Sequence, residues 1–410
     1  MEANIIELAN GLRVIHKYIP YTRTVHCGYV INTGGRDDQG EETGMAHFIE
    51  HMVFKGTYRR TYYDILNYLD SLGGDLNAYT TKEKTCLFAS LSAEYFERAT
   101  DLLTDITFFS TFPLEEIEKE QGVISEEIDM YRDTPDEAIF EDFDELVFPG
   151  HTLGKPILGT KDSIRRFTQP KVVRHIRNQY TRENVVFSIV GNVSRTEVDW
   201  VIDKYIKPLE IPVGNPVRTS PNGFKTTWEQ IEIPTQQAHE ILGGRAFGIH
   251  DKSYLPFQLL NNFLGGPAMN SILNLNIREQ YGLTYNINSF YNPFQDSGIW
   301  GIYYACEPGN LNQIRELVFK ELNELATEAF DPVRLSQAKR QMTGQLTLSH
   351  ENLLTQMLTM AKDLLDYGRI IPFAEVVDQI NQISSSAILE AAQQSWGMPE
   401  LTQITYQKAM

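Results

Sequence analysis

The stretch GMAHFIEHMVFKGT, Gly44 to Thr57, decides how the rest of the chain is read. It sets His47, Glu50 and His51 among Met45, Ala46, Phe48, Ile49, Met52, Val53 and Phe54. Those apolar neighbours predict a core helix, where polar groups left unpaired carry a large desolvation cost. Something must satisfy them. On a helix His47 and His51 are i and i+4, stacked on one face, with Glu50 beside them. Zinc takes imidazole nitrogens readily, and a catalytic zinc site keeps one position open for water. A carboxylate next to that water can take its proton. HxxEH inverts the more familiar HExxH and keeps a base beside two ligands.

A third ligand must come from elsewhere, and the segment PLEEIEKEQGVISEEIDMYRD, from Pro113 to Asp133, is rich in candidates. Advancing about 100° per residue from Ile124 puts Ile117, Ile128 and Tyr131 on one stripe. Glu120 and Glu127 fall within that stripe and Glu126 falls opposite it. An unpaired carboxylate facing the interior is costly, and a metal shared with two histidines would relieve it. Glu127 is therefore the expected third ligand, and Glu120, two turns earlier, an outer-sphere or catalytic carboxylate.

The whole chain narrows the context. Its 410 residues suit more than one domain, and 42% hydrophobic content marks it as globular. No run of about 18 apolar residues would span a membrane. The start, MEANIIELANGLRV, lacks a basic segment followed by an apolar one, so no secretory signal is expected. Cys27, Cys86 and Cys306 lie far apart, which favours a reducing compartment over disulfides or a thiolate metal site. A cytoplasmic protein is expected. The net charge of −18 argues against nucleic acid as a partner and favours cationic peptides.

Four prolines, Pro208, Pro212, Pro216 and Pro221, mark an extended linker. The expected division is a metal-bearing domain at 1–206, a linker at 207–227 and a second domain at 228–410. The halves resemble each other. β-type sequence opens each, TVHCGYVINTGG (24–35) and AHEILGGRAFGI (238–249), and a helical stretch ending in glycine follows. HFIEHMVFKG (47–56) can be laid on FQLLNNFLGG (257–266), which sets His47, Glu50 and His51 against Phe257, Leu260 and Asn261. On that alignment only the first copy holds metal-ligating residues. Strand-then-helix blocks recur in both halves: NVVFSIVGNV leads into SRTEVDWVIDKYI, and residues 282–306 read as strands joined by a turn at Pro293–Gly298. The fold class expected is α+β, with two homologous sandwich-type domains, each a sheet covered by helices, related by internal duplication.

Four separated motifs carry a family resemblance: GMAHFIEHMVFKGT, GGDLNAYTTKEKT, EKEQGVISEEIDMYRD and LGKPILGTKDSI. They resemble the pitrilysin/insulinase-type zinc peptidases, or inverzincins, most closely the bacterial members of the mitochondrial-processing-peptidase-like branch. Glu127 stands 76 positions after His51, similar to the family spacing of the third ligand. LGGPAMNSILNLNIREQYGLTY is similar to the family segment that carries an arginine and a tyrosine, here Arg278 and Tyr285. Arg182 and Asn192 depart from the proline and acidic residue of many relatives, and Pro267 departs before the second-half helix.

The resemblance implies a zinc endopeptidase with one zinc per chain, acting on short or unfolded peptides inside a closed chamber. Glu50 would be the general base, Tyr285 would donate to the oxyanion, and Arg278 would hold the peptide or a developing charge. Substrate would add as a strand along LNAYT, where Asn77 and Ala78 are the candidate contacts. A homodimer is expected, because one chain carries both residue sets. The competing reading is a non-catalytic subunit or peptide-binding partner of a related peptidase.

Overall fold

The computed structural model describes residues 3–214, 216–396 and 401–408. Asn215 of the linker and Glu2 of the N-terminal stretch lie outside the described residues. The chain divides into two compact units. The first takes in residues 1–128, 155–218 and 348–371, and the second 129–154, 219–347 and 372–410.

In the first unit, β1 (Asn4–Glu7), β2 (Arg13–Tyr18), β3 (Thr24–Ile31), β4 (Asp75–Thr80), β5 (Thr85–Ser92) and β6 (Val185–Gly191) form one mixed sheet. Their order is β1-β2-β6-β3-β5-β4, with β2 and β6 parallel and the other pairs antiparallel. The second unit's sheet joins β7 (Trp228–Glu232), β8 (Ala238–Ala246), β9 (Thr284–Pro293), β10 (Gly298–Cys306) and β11 (Thr402–Gln407). Its order is β7-β11-β8-β10-β9, with β7 and β11 parallel. Leaving out β1, the two orders and directions coincide strand for strand. A helix follows β3 and another follows β8, and these are the two segments that align at residues 47–56 and 257–266. The class is α+β, two mixed sheets covered by helices.

Strand side chains alternate between faces, and here both faces are apolar. In β6, Val185, Phe187 and Ile189 join the main core, while Val186 and Val190 join another cluster on the opposite face. A sheet apolar on both faces needs cover on both. Much of the main core comes from α1 (Met45–Met52), α2 (Tyr62–Asp70), α3 (Phe96–Phe108) and α4 (Leu114–Arg132). The opposite face is covered by the helix Leu353–Tyr367, through Met357, Met360, Ala361 and Leu364. The second sheet is treated alike: α5 (Pro135–Val147) sets Ala138, Ile139, Phe143 and Val147 against Ile241, Ile299 and Tyr303. Neither covering helix is among the segments assigned from the sequence, and each comes from the half of the chain remote from the sheet it covers.

Residues 209–214 and 216–227 form neither helix nor strand. Part of this segment is nonetheless tied down. Arg218 donates to both carboxylate oxygens of Asp37, at 2.8 and 2.7 Å, and to the carbonyls of Asn32 and Glu83. Among the described residues, no helix is long and apolar enough to cross a membrane.

Candidate metal centre

Helix α1 starts at a left-handed residue, Gly44, with φ of 93°. A side chain there would meet Leu158 O at 2.7 Å and Gly159 Cα at 2.8 Å, so glycine is required by both conformation and space. Met45, Phe48, Ile49 and Met52 are fully buried in the main core. That packing fixes the helix and leaves His47, Glu50 and His51 on its remaining face. Opposite them lies α4, whose buried stripe is Ile117, Glu120 and Ile124. Glu126 is exposed and Glu127 half-buried.

His47, His51 and Glu127 come together, each offering one ligand atom, all within 4.8 Å of one another. His47 Nε2 is 4.0 Å from Glu127 Oε1, and His51 Nε2 is 3.7 Å from Glu127 Oε2. Zinc bonded at about 2.0–2.1 Å in a tetrahedron would hold its ligands about 3.3 Å apart, so the three side chains would have to draw closer on binding it. His51 Nδ1 faces Glu120 Oε1 at 2.8 Å, and Lys55 Nζ sits 2.6 Å from Glu120 Oε2. Glu120 thus stands behind His51, on the ring edge away from Glu127. Both of its oxygens are taken up by His51 and Lys55. Such a carboxylate behind a ligating imidazole fixes its tautomer and leaves Nε2 free for a metal.

The electrostatics are those of a site that expects a cation. Burial, reinforced by the neighbouring His51, pushes His47 down to about 4, so it is neutral at pH 7. Burial opposes the charged form of His51 too, but the bond and charge of Glu120, with Glu127 and Glu50 nearby, outweigh it and raise its pKa. Burial likewise works against ionisation of Glu120, yet His51 and Lys55 hold it below the usual carboxylate range. Burial raises Glu50, opposed by the nearby Thr80 hydroxyl and His51 and helped by Glu127. His47 Nδ1, Glu50 Oε2 and Thr80 Oγ1 are buried without a hydrogen-bond partner. Of these, the unpaired Glu50 oxygen, beside two histidines and a carboxylate, fits a metal with its water.

Asn77 and Ala78 lie in β4, at one edge of the first sheet. Asn77 is exposed, and its Oδ1 accepts from Ala78 N at 2.8 Å. Thr80 ends the same strand, which places that edge beside Glu50. Arg278 and Tyr285 belong to the second unit. Arg278 is half-buried and donates to Asn274 Oδ1 at 3.1 Å, whereas Tyr285, near the start of β9, is 88% exposed. Sequence reasoning missed Lys55 and Thr80. Lys55 had a signal, since it is i+4 from His51.

The second copy shows what occupies the aligned positions of the same scaffold. Phe257 and Leu260 are fully buried and Asn261 is buried with its Oδ1 unpaired, so two of the three aligned positions are ordinary core.

Two family models match the chain in succession. Residues 13–161 match the model described as insulinase (peptidase family M16), and residues 166–342 the model described as peptidase M16 inactive domain. A Bacillus subtilis protein named uncharacterized zinc protease YmxG is 33% identical over 394 residues, covering 94% of this chain and 93% of that protein. An uncharacterized zinc protease of Rickettsia felis is also 33% identical, covering 95% and 94%. Among solved structures, an M16 inactive-domain protein of Pseudomonas fluorescens superposes with a TM-score of 0.90 at 18% identity, covering 100% of this chain and 99% of that one. A protease of Helicobacter pylori superposes equally well, with a TM-score of 0.90 at 18% identity, covering 99% of each chain. At that identity the likeness establishes the fold. One-third identity over nearly the whole length establishes more: this chain belongs to the M16 insulinase family of peptidases.

Proposed function

We propose that the protein is a zinc-dependent endopeptidase acting on short or unfolded peptides. The observation that carries this reading is the convergence of His47, His51 and Glu127, with an unpaired Glu50 oxygen beside them. Zinc held by these three residues would supply Lewis acidity toward water and the scissile carbonyl. The chain's own groups supply the rest. Glu50, whose pKa burial has raised, takes the proton of the attacking water and returns it to the leaving amine. Glu120 holds the Nδ1 proton of His51 and so keeps Nε2 turned toward the centre. The open edge of β4 pairs with an extended peptide backbone, and Asn77 and Ala78 lie along it. Backbone pairing selects extended chains over folded ones and asks little of side-chain sequence. Arg278 and Tyr285 belong to the proposal as the groups that hold the peptide and donate to the oxyanion.

The acidic surface favours basic peptides, and the active species is proposed to be a homodimer, the commonest closed arrangement of identical chains. The test is to incubate the zinc-loaded protein with a peptide library and read cut sites by mass spectrometry. Cleavage that stops on chelation and returns with zinc is expected. Zinc bound at one equivalent with no cleavage of any peptide would make the chain a non-catalytic binding partner instead.

A further inference from the structure

We propose that Asp38 is a positioning residue for the metal-bearing helix: it replaces the missing N-cap of α1 and thereby sets where His47 presents its ring. The inference rests on the metal reading above. The first turn of any helix leaves backbone N–H groups without partners, and the residue just before it usually caps them with a side chain. Thr61 does so for α2, accepting from Asp64 N. Gly44 cannot do this for α1. Asp38, six residues upstream, does it instead. Its Oδ2 accepts from Gly44 N at 2.7 Å and Met45 N at 3.1 Å, and its Oδ1 from Ala46 N at 3.1 Å. The carboxylate is buried, at 4% exposure.

The loop that carries Asp38 is itself fixed. Asp37 Oδ2 accepts from Gly34 N at 3.0 Å, Arg218 holds Asp37 through both oxygens, and Arg36 pairs with Glu83 at 2.5 Å.

The two histidines do not depend on that anchor equally. His51 is steadied from outside the helix by Glu120. His47 has no such support, because its Nδ1 is buried and unpaired. Its ring therefore sits where the backbone of the first turn puts it, and Asp38 holds that turn. Loss of the cap should displace His47 and leave His51 in place.

The test measures zinc affinity by chelator competition in the unaltered protein, Asp38→Asn, Asp38→Ala and Thr61→Ala. Thr61→Ala removes a cap from a helix without metal residues and controls for general destabilisation. Asp38→Asn is isosteric but turns an amide toward N–H donors, and it should weaken zinc by about tenfold or more. The visible spectrum of its cobalt-substituted form should change, since that spectrum reports ligand geometry. Thr61→Ala should stay within about twofold of the parent in affinity and keep its spectrum. Asp38→Asn with parental affinity and an unchanged cobalt spectrum would overturn the proposal, as would an equal loss in Thr61→Ala. Should the Asp38 variants not fold, hydrogen exchange in the unaltered chain decides. Zinc should slow the amides of Gly44, Met45 and Ala46, and no slowing there overturns the assignment. Failure of the unaltered chain to bind zinc would instead remove the metal reading itself, a result distinct from tight zinc binding that ignores Asp38.

Discussion

His51 Nδ1 lies 2.8 Å from a Glu120 oxygen, while Nε2 of the same ring lies 3.7 Å from Glu127. Two carboxylates seven residues apart on α4 thus grip one imidazole from opposite edges. Because Glu120 is held in its ionised form, it accepts, and His51 donates from Nδ1. Replacing Glu120 by Gln removes the charge that Lys55 and His51 share and lets the ring choose either tautomer. Zinc affinity should fall by about 10–100-fold, read by competition with a chelator of known strength. Unchanged affinity would reduce Glu120 to packing.

Glu50 and Glu126 should behave oppositely although both are glutamates near the ligands in sequence. Glu50→Gln should keep one equivalent of zinc and lose at least about 10²–10⁴-fold in peptide turnover, the usual range for a general base. Loss of zinc from that variant would make Glu50 a ligand. Glu126 is exposed, and Glu126→Gln should leave both zinc and turnover unchanged.

Leu364 should matter to the first unit even though it lies far downstream of the metal motif. It is 3% exposed, in the helix that covers the face of the first sheet formed by Ile15, Val30, Val186 and Val190. Leu364→Ala should cost about 2–4 kcal/mol in urea denaturation. Residues 1–218 expressed alone lack that helix and should expose this apolar face, binding a hydrophobic dye or aggregating. Co-expression with residues 219–410 should restore solubility. A soluble, dye-negative fragment 1–218 would refute the covering role.

Acid should destabilise the metal-free protein partly through His175. Burial holds this ring down at about 4 against an ordinary 6.5, and its Nε2 has no partner. The unfolded chain therefore binds the proton more readily than the folded one. Stability from this group is complete above pH 6.5 and is lost as pH falls toward 4, by about 3 kcal/mol in all. His47 contributes in the same direction in the metal-free chain. His175→Leu should remove only its own share, narrowing the gap in unfolding free energy between pH 7 and pH 4. Equal gaps in variant and parent would show that His175 carries no such burden.

Much of the first unit's chemistry was legible because it is local. The helical repeat alone stacks His47 over His51, sets Glu50 beside them, and separates Glu120 and Glu127 from Glu126 on α4. The alternation of LNAYTTKEKTCLFASL is that of two strands or one long one, and the chain makes two, β4 and β5; the glycines of SLGG close the helix before them, where Gly73 takes φ of 71°. The duplication was legible too, since two strand-then-helix segments repeat even where the metal residues do not.

What only the tertiary structure decided is everything that depends on distant chain meeting. Glu120 and Glu127 share a face in the sequence reading, but α1 approaches α4 so that one meets Nδ1 and the other Nε2. Asp38 became a cap because the chain folds back over a glycine, a contact that no periodicity encodes. The covers of the two sheets came from unexpected places for the same reason. A strand apolar on both faces announces that it needs two partners, and it does not say which helix of the chain will supply the second. Burial is satisfied by any apolar face of the right shape, so sequence specifies the demand and packing selects the supplier.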